Sequence, residues 1–416
     1  MPNPFTVGQP VPPERFVGRE TQLATAFDQI CSRSNLAVWG GPGIGKTSFL
    51  RLLTYPKVWQ EQGQEPATAV IVLLDCLSIQ PFSAHSFWRK ILSLIKDQLD
   101  GNATLQTDIE QLLGKDRVVS NDLVPILRQL GEDNKFLVLL IDDYDAALRT
   151  NDSYNKADIE AFLYGCRNLA NSEQESKYIS MIVASSRRLT ELGPPLTPGQ
   201  SPWYNHYLFL RLKPFTDREF DALLAGMLIT PALRDKIREI ADGNPTLVQN
   251  AGYLLYQELR ASEVPDSHTF AREFQSATEH FFQATWERCN EIEQILLMLI
   301  ALCSLEGRLG NKRYSLKDIE NIFSQKELEI NALENRGIIK REEQAGKTTY
   351  SFASSLMGWW IVKKIQNSTE KELQQRQLGF LNLMNHKQAE NIGTAIRWIW
   401  KNKDKVPPVL EWLGGL

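Results

Sequence analysis

Residues 40–47 read GGPGIGKT, which satisfies GxxxxGK[ST] through Gly40, Gly45, Lys46 and Thr47. These residue types at this spacing fit one chemistry, the grip of a nucleotide's phosphates. Glycines lack a Cβ, so the chain can wrap a β-phosphate closely enough for its N–H groups to donate to it. Gly41, Pro42, Gly43, Ile44 and Gly45 would form that cradle, and Lys46 would reach the β and γ oxygens. Thr47 offers a hydroxyl to Mg2+, with Ser48 beside it.

A metal held this way needs a carboxylate on a neighbouring strand. The run KFLVLLIDDYD (135–145) supplies Asp142 at the end of its apolar residues. Asp143 is then the candidate to orient or activate a water against the γ-phosphate. An aspartate in that place, shorter than glutamate, points to slow hydrolysis. A further apolar run ends in VASSRR, and residues just past a parallel strand's carboxyl end face the ligand crevice. Ser185, Arg187 and Arg188 are therefore candidates to sense the γ-phosphate, since arginine can fork onto phosphate oxygens.

The elements that must carry these residues are legible as apolar runs. They lie at 35–40, 67–76, 135–145, 177–187 and 206–215, separated by segments of helical period such as 83–99. Continuous apolar runs spaced by helices predict an α/β fold with a parallel sheet covered on both faces. GPPLTPGQSP, within the stretch joining the last two runs, reads as a loop. After residue 213 the strand pattern stops. Three helices follow, with caps at Thr216 and Thr230, and 262–270 reads as a linker. From about 280 the chain reads as one long helix through ERCNEIEQILLMLIALC, then SLKDIENIF, then QKELEINALENRGIIKRE, then a hairpin in EQAGKTTYSFASS. That order predicts a winged helix. The expected domains are a P-loop nucleotide-binding domain at 1–213, a helical lid at 214–275, a winged helix at 280–366 and a helical extension at 367–416.

Composition narrows the function classes. The net charge is -4, so no bulk attraction to nucleic acid or anionic membrane is expected. No apolar run has the length of a membrane span, and the N-terminus has no apolar signal core. Cys31, Cys76, Cys166, Cys289 and Cys303 are dispersed, without a zinc spacing, which suits reduced thiols and a cytoplasmic location. The candidate third helix of the winged helix carries Glu327, Glu329 and Glu334, acids that would face phosphates on DNA. The module is therefore read as packing within the protein, with DNA contact disfavoured. The tryptophan-rich tail, with Trp398, Trp400 and Trp412, is read as core, with partner docking as the alternative.

The ordered set FVGRE, GGPGIGKTS, LLIDDYD, ASSR, LKPFTDREF and GNP, followed by a winged helix, resembles the STAND branch of the P-loop NTPases over roughly residues 14–365. The resemblance implies that Val17, Gly18 and Arg19 lie over the adenine and that Arg187 contacts the γ-phosphate. It also implies that Pro245 packs on the bound nucleotide and closes the ADP state. The histidine that many relatives place near the β-phosphate is missing, since His85, His206, His268, His280 and His386 all fall outside the winged-helix core. The chain also lacks room for a repeat sensor. Either partners supply effector and sensor in trans, or the protein does something simpler; a nucleotide-dependent homo-oligomer is a separate expectation.

The resulting expectation is an ATP-binding signalling switch. It would use ATP/ADP and Mg2+, with Lys46, Asp142, Asp143 and Arg187 in catalysis and Thr47 and Asp142 at the metal. The alternatives are an initiator-like ATPase that binds DNA through the winged helix, and a ring-forming remodelling ATPase whose arginine finger is Arg167 or Arg188.

Overall fold

Leu36, Ala37 and Val38 are apolar in succession and have no polar face to offer water, so their strand must be covered on both sides. In the computed structural model this strand, β1 (Asn35–Trp39), is fully buried. The structure describes residues 3–402 except 100–101, 197–198, 200, 226, 228, 262–266, 306–318, 345–346 and 382.

The chain divides into two compact units. One comprises Pro10–Gly40 and Gly45–Leu212. Its sheet has the order β2-β3-β4-β1-β5, with β2 at Ala69–Asp75, β3 at Phe136–Asp142, β4 at Ile179–Ser185 and β5 at Tyr207–Arg211. Every recorded pairing is parallel, as the apolar runs predict. All residues of β3 and β4 are buried, whereas β2 alternates and β5 buries only Tyr207, the behaviour of edge strands. The helices are α1 (Glu20–Cys31), α2 (Lys46–Leu52), α3 (Pro56–Glu61), α4 (Ala84–Asp97), α5 (Ala103–Leu113), α6 (Leu123–Glu132) and α7 (Lys156–Asn171). Ser83 caps α4 by accepting from the Ser86 N–H at 3.1 Å. An aromatic cluster joins α4 to α7: Phe87 and Phe162 meet edge-on with centroids 5.0 Å apart, and Phe82 meets Phe162 at 5.7 Å. Each such pair adds about 0.5–1.5 kcal/mol beyond its buried area.

The other unit comprises the residues up to Gln9, the four loop residues Gly41–Ile44 and the chain from Lys213. Its helices are α8 (Asp217–Leu224), α9 (Pro231–Ala241), α10 (Pro245–Arg260), α11 (Ser267–Glu287), α12 (Glu291–Ser304), α13 (Ile319–Gln325), α14 (Glu327–Asn335), α15 (Ser355–Gln366), α16 (Glu370–Leu381) and α17 (His386–Lys401). Thr216 forms a capping box with Glu219 and Thr230 accepts from Leu233, so both expected caps are present. The strands β6 (Ile339–Gln344) and β7 (Lys347–Phe352) form an antiparallel hairpin. Helix α12 is apolar around most of its circumference and buries Ile295 through Leu302, as such a helix must. Beside it the buried Arg336 guanidinium pairs with Glu293 at 2.8 Å.

Several boundaries differ from the sequence reading. The expected long helix after 280 is two helices, because Asn290 forms a capping box with Glu293 and starts α12 afresh. The expected linker at 262–270 is already helical from Ser267. The helix drawn through QKELEINALENRGIIKRE stops at Asn335. Gly337, at φ +68, accepts a left-handed turn, and the Ile338 N–H returns to the Leu333 carbonyl at 3.1 Å. Ile339 onward is therefore β6, and the hairpin begins earlier than expected. The third strand ends at Asp142, because Asp143 adopts φ +46. Residues 315–318 of the expected helix SLKDIENIF, and Trp412 in the tail, lie outside the described residues.

Candidate functional site

In the sheet unit, β1 leads into the phosphate-loop motif and α2 begins at its lysine. Gly45 caps α2 at φ +94, a conformation that a side chain would strain. The Lys46 ammonium donates to the Gly40 carbonyl at 2.9 Å. The Gly40 N–H in turn donates to the Ser185 carbonyl at 3.3 Å, joining the loop's first residue to the end of β4. Thr47 follows on the first turn of α2. Ser48 is buried, and its hydroxyl oxygen accepts the Val11 N–H at 3.0 Å, so this hydroxyl helps to anchor the N-terminal segment.

Asp142 is buried at the end of β3, and its Oδ1 accepts the Asp143 N–H at 3.0 Å. In the sheet register it stands beside Asp75, which closes its own turn by accepting from Leu77. Burial, followed by the nearby Asp75 and Asp143 carboxylates, pushes the Cys76 thiol well up, which makes it a packing residue and a poor nucleophile. Arg187 lies two residues beyond the end of β4. There the Ser185 hydroxyl donates to the Arg187 carbonyl at 2.7 Å. Arg188 stacks on Phe209, 4.7 Å from the ring centroid, and Arg167 donates to the Ser201 carbonyl at 3.2 Å.

Before α1, Gly18 and Arg19 both have positive φ, +73 and +68, and Arg19 is buried. Val17 is partly buried. These residues form the turn that starts α1.

The remaining loop residues belong to the helical unit. Asn244 caps α10 by accepting from the Thr246 and Leu247 N–H groups, and its Nδ2 donates to the Pro42 carbonyl at 3.1 Å. The Gly43 carbonyl accepts from both the N–H and the hydroxyl of Thr246, at 3.2 and 3.1 Å. Pro245 stands between them at the first position of α10. A Cβ on Gly43 would lie 2.7 Å from the Phe281 ring, and one on Gly41 would lie 2.0 Å from the Arg336 carbonyl. The glycines thus serve protein packing as well as any phosphate. Arg336, Asp242, Asn244, Phe281 and Ser354 line a small adjacent cavity of about 30 Å³.

The basic side chains of β6 are occupied. Lys340 pairs with Asp242, while Arg341 pairs with Glu334 at 3.4 Å and donates to Asn331 at 2.6 Å. Burial raises the Asp242 carboxyl against the opposing pull of Lys340.

The sequence reading missed three residues. Asn244 and Thr246 flank the chosen Pro245, and an Asn-Pro pair opening a helix is itself a cap signal. Asp145, the third acid of DDYD, is buried and accepts from the N–H and hydroxyl of Ser186.

Among the described residues, no helix is long and apolar enough to cross a membrane, and no cluster of three or more His, Cys, Asp or Glu could hold a metal. No curated protein matches the chain. Among solved structures, a Walker-type ATPase of Pyrococcus abyssi is similar at TM-score 0.58 and 16% identity, covering 86% of this chain and 99% of that one. The ORC2 protein of Aeropyrum pernix, in ADPNP–ADP complexes, is similar at TM-score 0.52 and 15% identity, covering 86% and 96%. These likenesses establish the fold. The family described as the AAA ATPase domain matches residues 15–160, which contain the phosphate loop, Asp142 and Asp143. This stretch is thus similar to the AAA ATPase domain, and the unit that contains it has a P-loop NTPase fold.

Proposed function

We propose that the protein is a nucleotide-dependent switch that binds ATP, hydrolyses it slowly and changes the arrangement of its helical unit with the nucleotide held. The observation that carries this reading is the engagement of Pro42 and Gly43 by Asn244 and Thr246. Loop residues that would cradle a phosphate are hydrogen-bonded to the start of α10, so a change at the loop is felt by that helix. Lys46 would hold the β- and γ-phosphates, and Val17, Gly18 and Arg19 would cover the base.

The donor set fits a hard divalent cation, since Thr47 brings a hydroxyl and Asp142 a buried carboxylate with one oxygen already fixed by Asp143. Bound Mg2+ would neutralise charge on the phosphates. Asp143 would orient the attacking water and Arg187 would read the γ-phosphate. The nucleotide state would control association with partner proteins or with further copies of the chain.

Nucleotide released from freshly purified, denatured protein tests the reading, together with small-angle scattering in ATP and in ADP. Bound ADP and two different scattering profiles support it; identical profiles at nucleotide saturation would sink it.

A second reading, a DNA-binding initiator-like ATPase, is favoured by the fold shared with the ORC2 protein. The pairing of Lys340 and Arg341 with acids on neighbouring elements weighs against it. Salt-sensitive binding to duplex DNA would support it.

A further inference from the structure

Asp145 lies in the 3-10 turn Tyr144–Leu148 that follows β3, and it is 6% exposed. A carboxylate taken out of water is costly unless its oxygens are fully hydrogen-bonded. Both oxygens go to one residue: Oδ2 accepts the Ser186 N–H at 2.8 Å and Oδ1 accepts the Ser186 hydroxyl at 2.6 Å. Among the described residues no cation pairs with this carboxylate. Its charge is therefore met by a single residue, the one just past the end of β4. If the turn needed only packing, an apolar pair of similar size would fill the space without that cost.

The grip on Ser186 sits within a short set of bonds. On one side, the Ser185 hydroxyl donates to the Arg187 carbonyl at 2.7 Å. On the other, the Ser185 carbonyl accepts the Gly40 N–H, and Gly40 holds the Lys46 ammonium. The backbone from Ser185 to Arg187 is thus fixed by Asp145, by its own serine and by the first residue of the phosphate loop.

We propose that Asp145 is a positioning residue that sets Ser186 and Arg187 for recognition of the third phosphate. Through it the protein distinguishes ATP from ADP without Asp145 touching either. The inference rests on the ATP-site reading and adds to it the residue that makes the site selective. Fixing a residue in place lowers the ordering cost of each bond it makes to a ligand. A loosened Arg187 weakens only the nucleotide that carries the γ-phosphate.

The test compares the full chain as wild type, Asp145→Ala, Asp145→Asn and Ser186→Ala, using fluorescent ATP and ADP analogues and a thermal melt of each variant. Asp145→Ala is expected to weaken ATP roughly tenfold, the size of one lost charge-assisted hydrogen bond, and to leave ADP within about twofold. Asp145→Asn should keep both affinities within about twofold, because the amide oxygen can accept the N–H and the Ser186 hydroxyl can turn to accept from Nδ2. Equal losses for ATP and ADP, or a folded Asp145→Ala that loses neither, overturn the proposal. If Asp145→Ala does not fold, Ser186→Ala, which keeps the N–H bond, decides by the same ATP-to-ADP ratio. A folded wild type that binds neither nucleotide overturns the ATP-site reading itself, and the inference with it.

Discussion

The Lys46 ammonium donates to the carbonyl of Gly40, 2.9 Å away and six residues back along its own chain. The cation is thereby held over the loop it must serve. Lys46→Ala is expected to weaken ATP by about a hundredfold, the loss of two charge-assisted bonds. Equilibrium titration with a labelled nucleotide measures this, and a melting temperature within a few degrees of wild type would separate it from unfolding.

Asp142→Asn keeps an oxygen to accept the Asp143 N–H but removes the negative charge. Hydrolysis should fall at least about tenfold, and the Mg2+ concentration for half-maximal rate should rise. Nucleotide affinity measured in EDTA should stay close to wild type. Phosphate release across a Mg2+ series is the assay.

Thr246→Val removes the hydroxyl that donates to Gly43 and retains the backbone N–H that also does so. One neutral hydrogen bond contributes about 1 kcal/mol, so ADP release should speed up roughly fivefold. Stopped-flow displacement by unlabelled nucleotide reports the rate; an unchanged rate would uncouple α10 from the loop.

The buried pair of Arg336 and Glu293 sets up a contrast between two substitutions. Arg336→Ala removes a cation from the buried Glu293 carboxylate and should destabilise the helical unit by about 3–5 kcal/mol. The double variant Arg336→Met with Glu293→Leu removes both charges and should cost far less. Denaturant melts followed by tryptophan fluorescence compare them.

His206 provides a pH signature. Burial, and then the positive charge of Arg167, lowers its pKa from 6.5 to about 4. The unfolded chain therefore binds a proton that the folded chain refuses between those values. Stability from this residue is complete above pH 6.5 and falls as pH drops toward 4, by roughly 3 kcal/mol over the window. His206→Leu should flatten the acid side of a stability–pH curve over that interval and change little at pH 8.

The strands were legible because a parallel sheet needs continuous apolar runs, and β3 and β4 have them over their whole length. Asp142 was legible from its place at the end of such a run. Asp145 was not, because its role depends on Ser186, a partner that no local spacing connects to it. Asn244 and Thr246 were hidden in the same way, since their bonds to Pro42 and Gly43 span most of the sheet domain's sequence. The helix ends were a different kind of miss. Asn290 with Glu293 is a local capping box and Gly337 a local stop, so both were readable signals outweighed by a long apolar run. The helical order after 213 was readable from caps and period, whereas the burial of Arg336 was not.

The place of β1 in the sheet also governs how the protein can be made. β1 is hydrogen-bonded to β4 and β5, which are translated long after it, while β2 and β3 pair with each other. As the chain leaves the ribosome, Leu36, Ala37 and Val38 emerge with no strand to join, and loop closure over such separations is slow. The phosphate loop, which hangs from β1, can acquire its shape only after Arg211 has emerged. A nascent chain arrested before β5 should therefore be a client for chaperones and unable to retain nucleotide, however complete its GGPGIGKT motif.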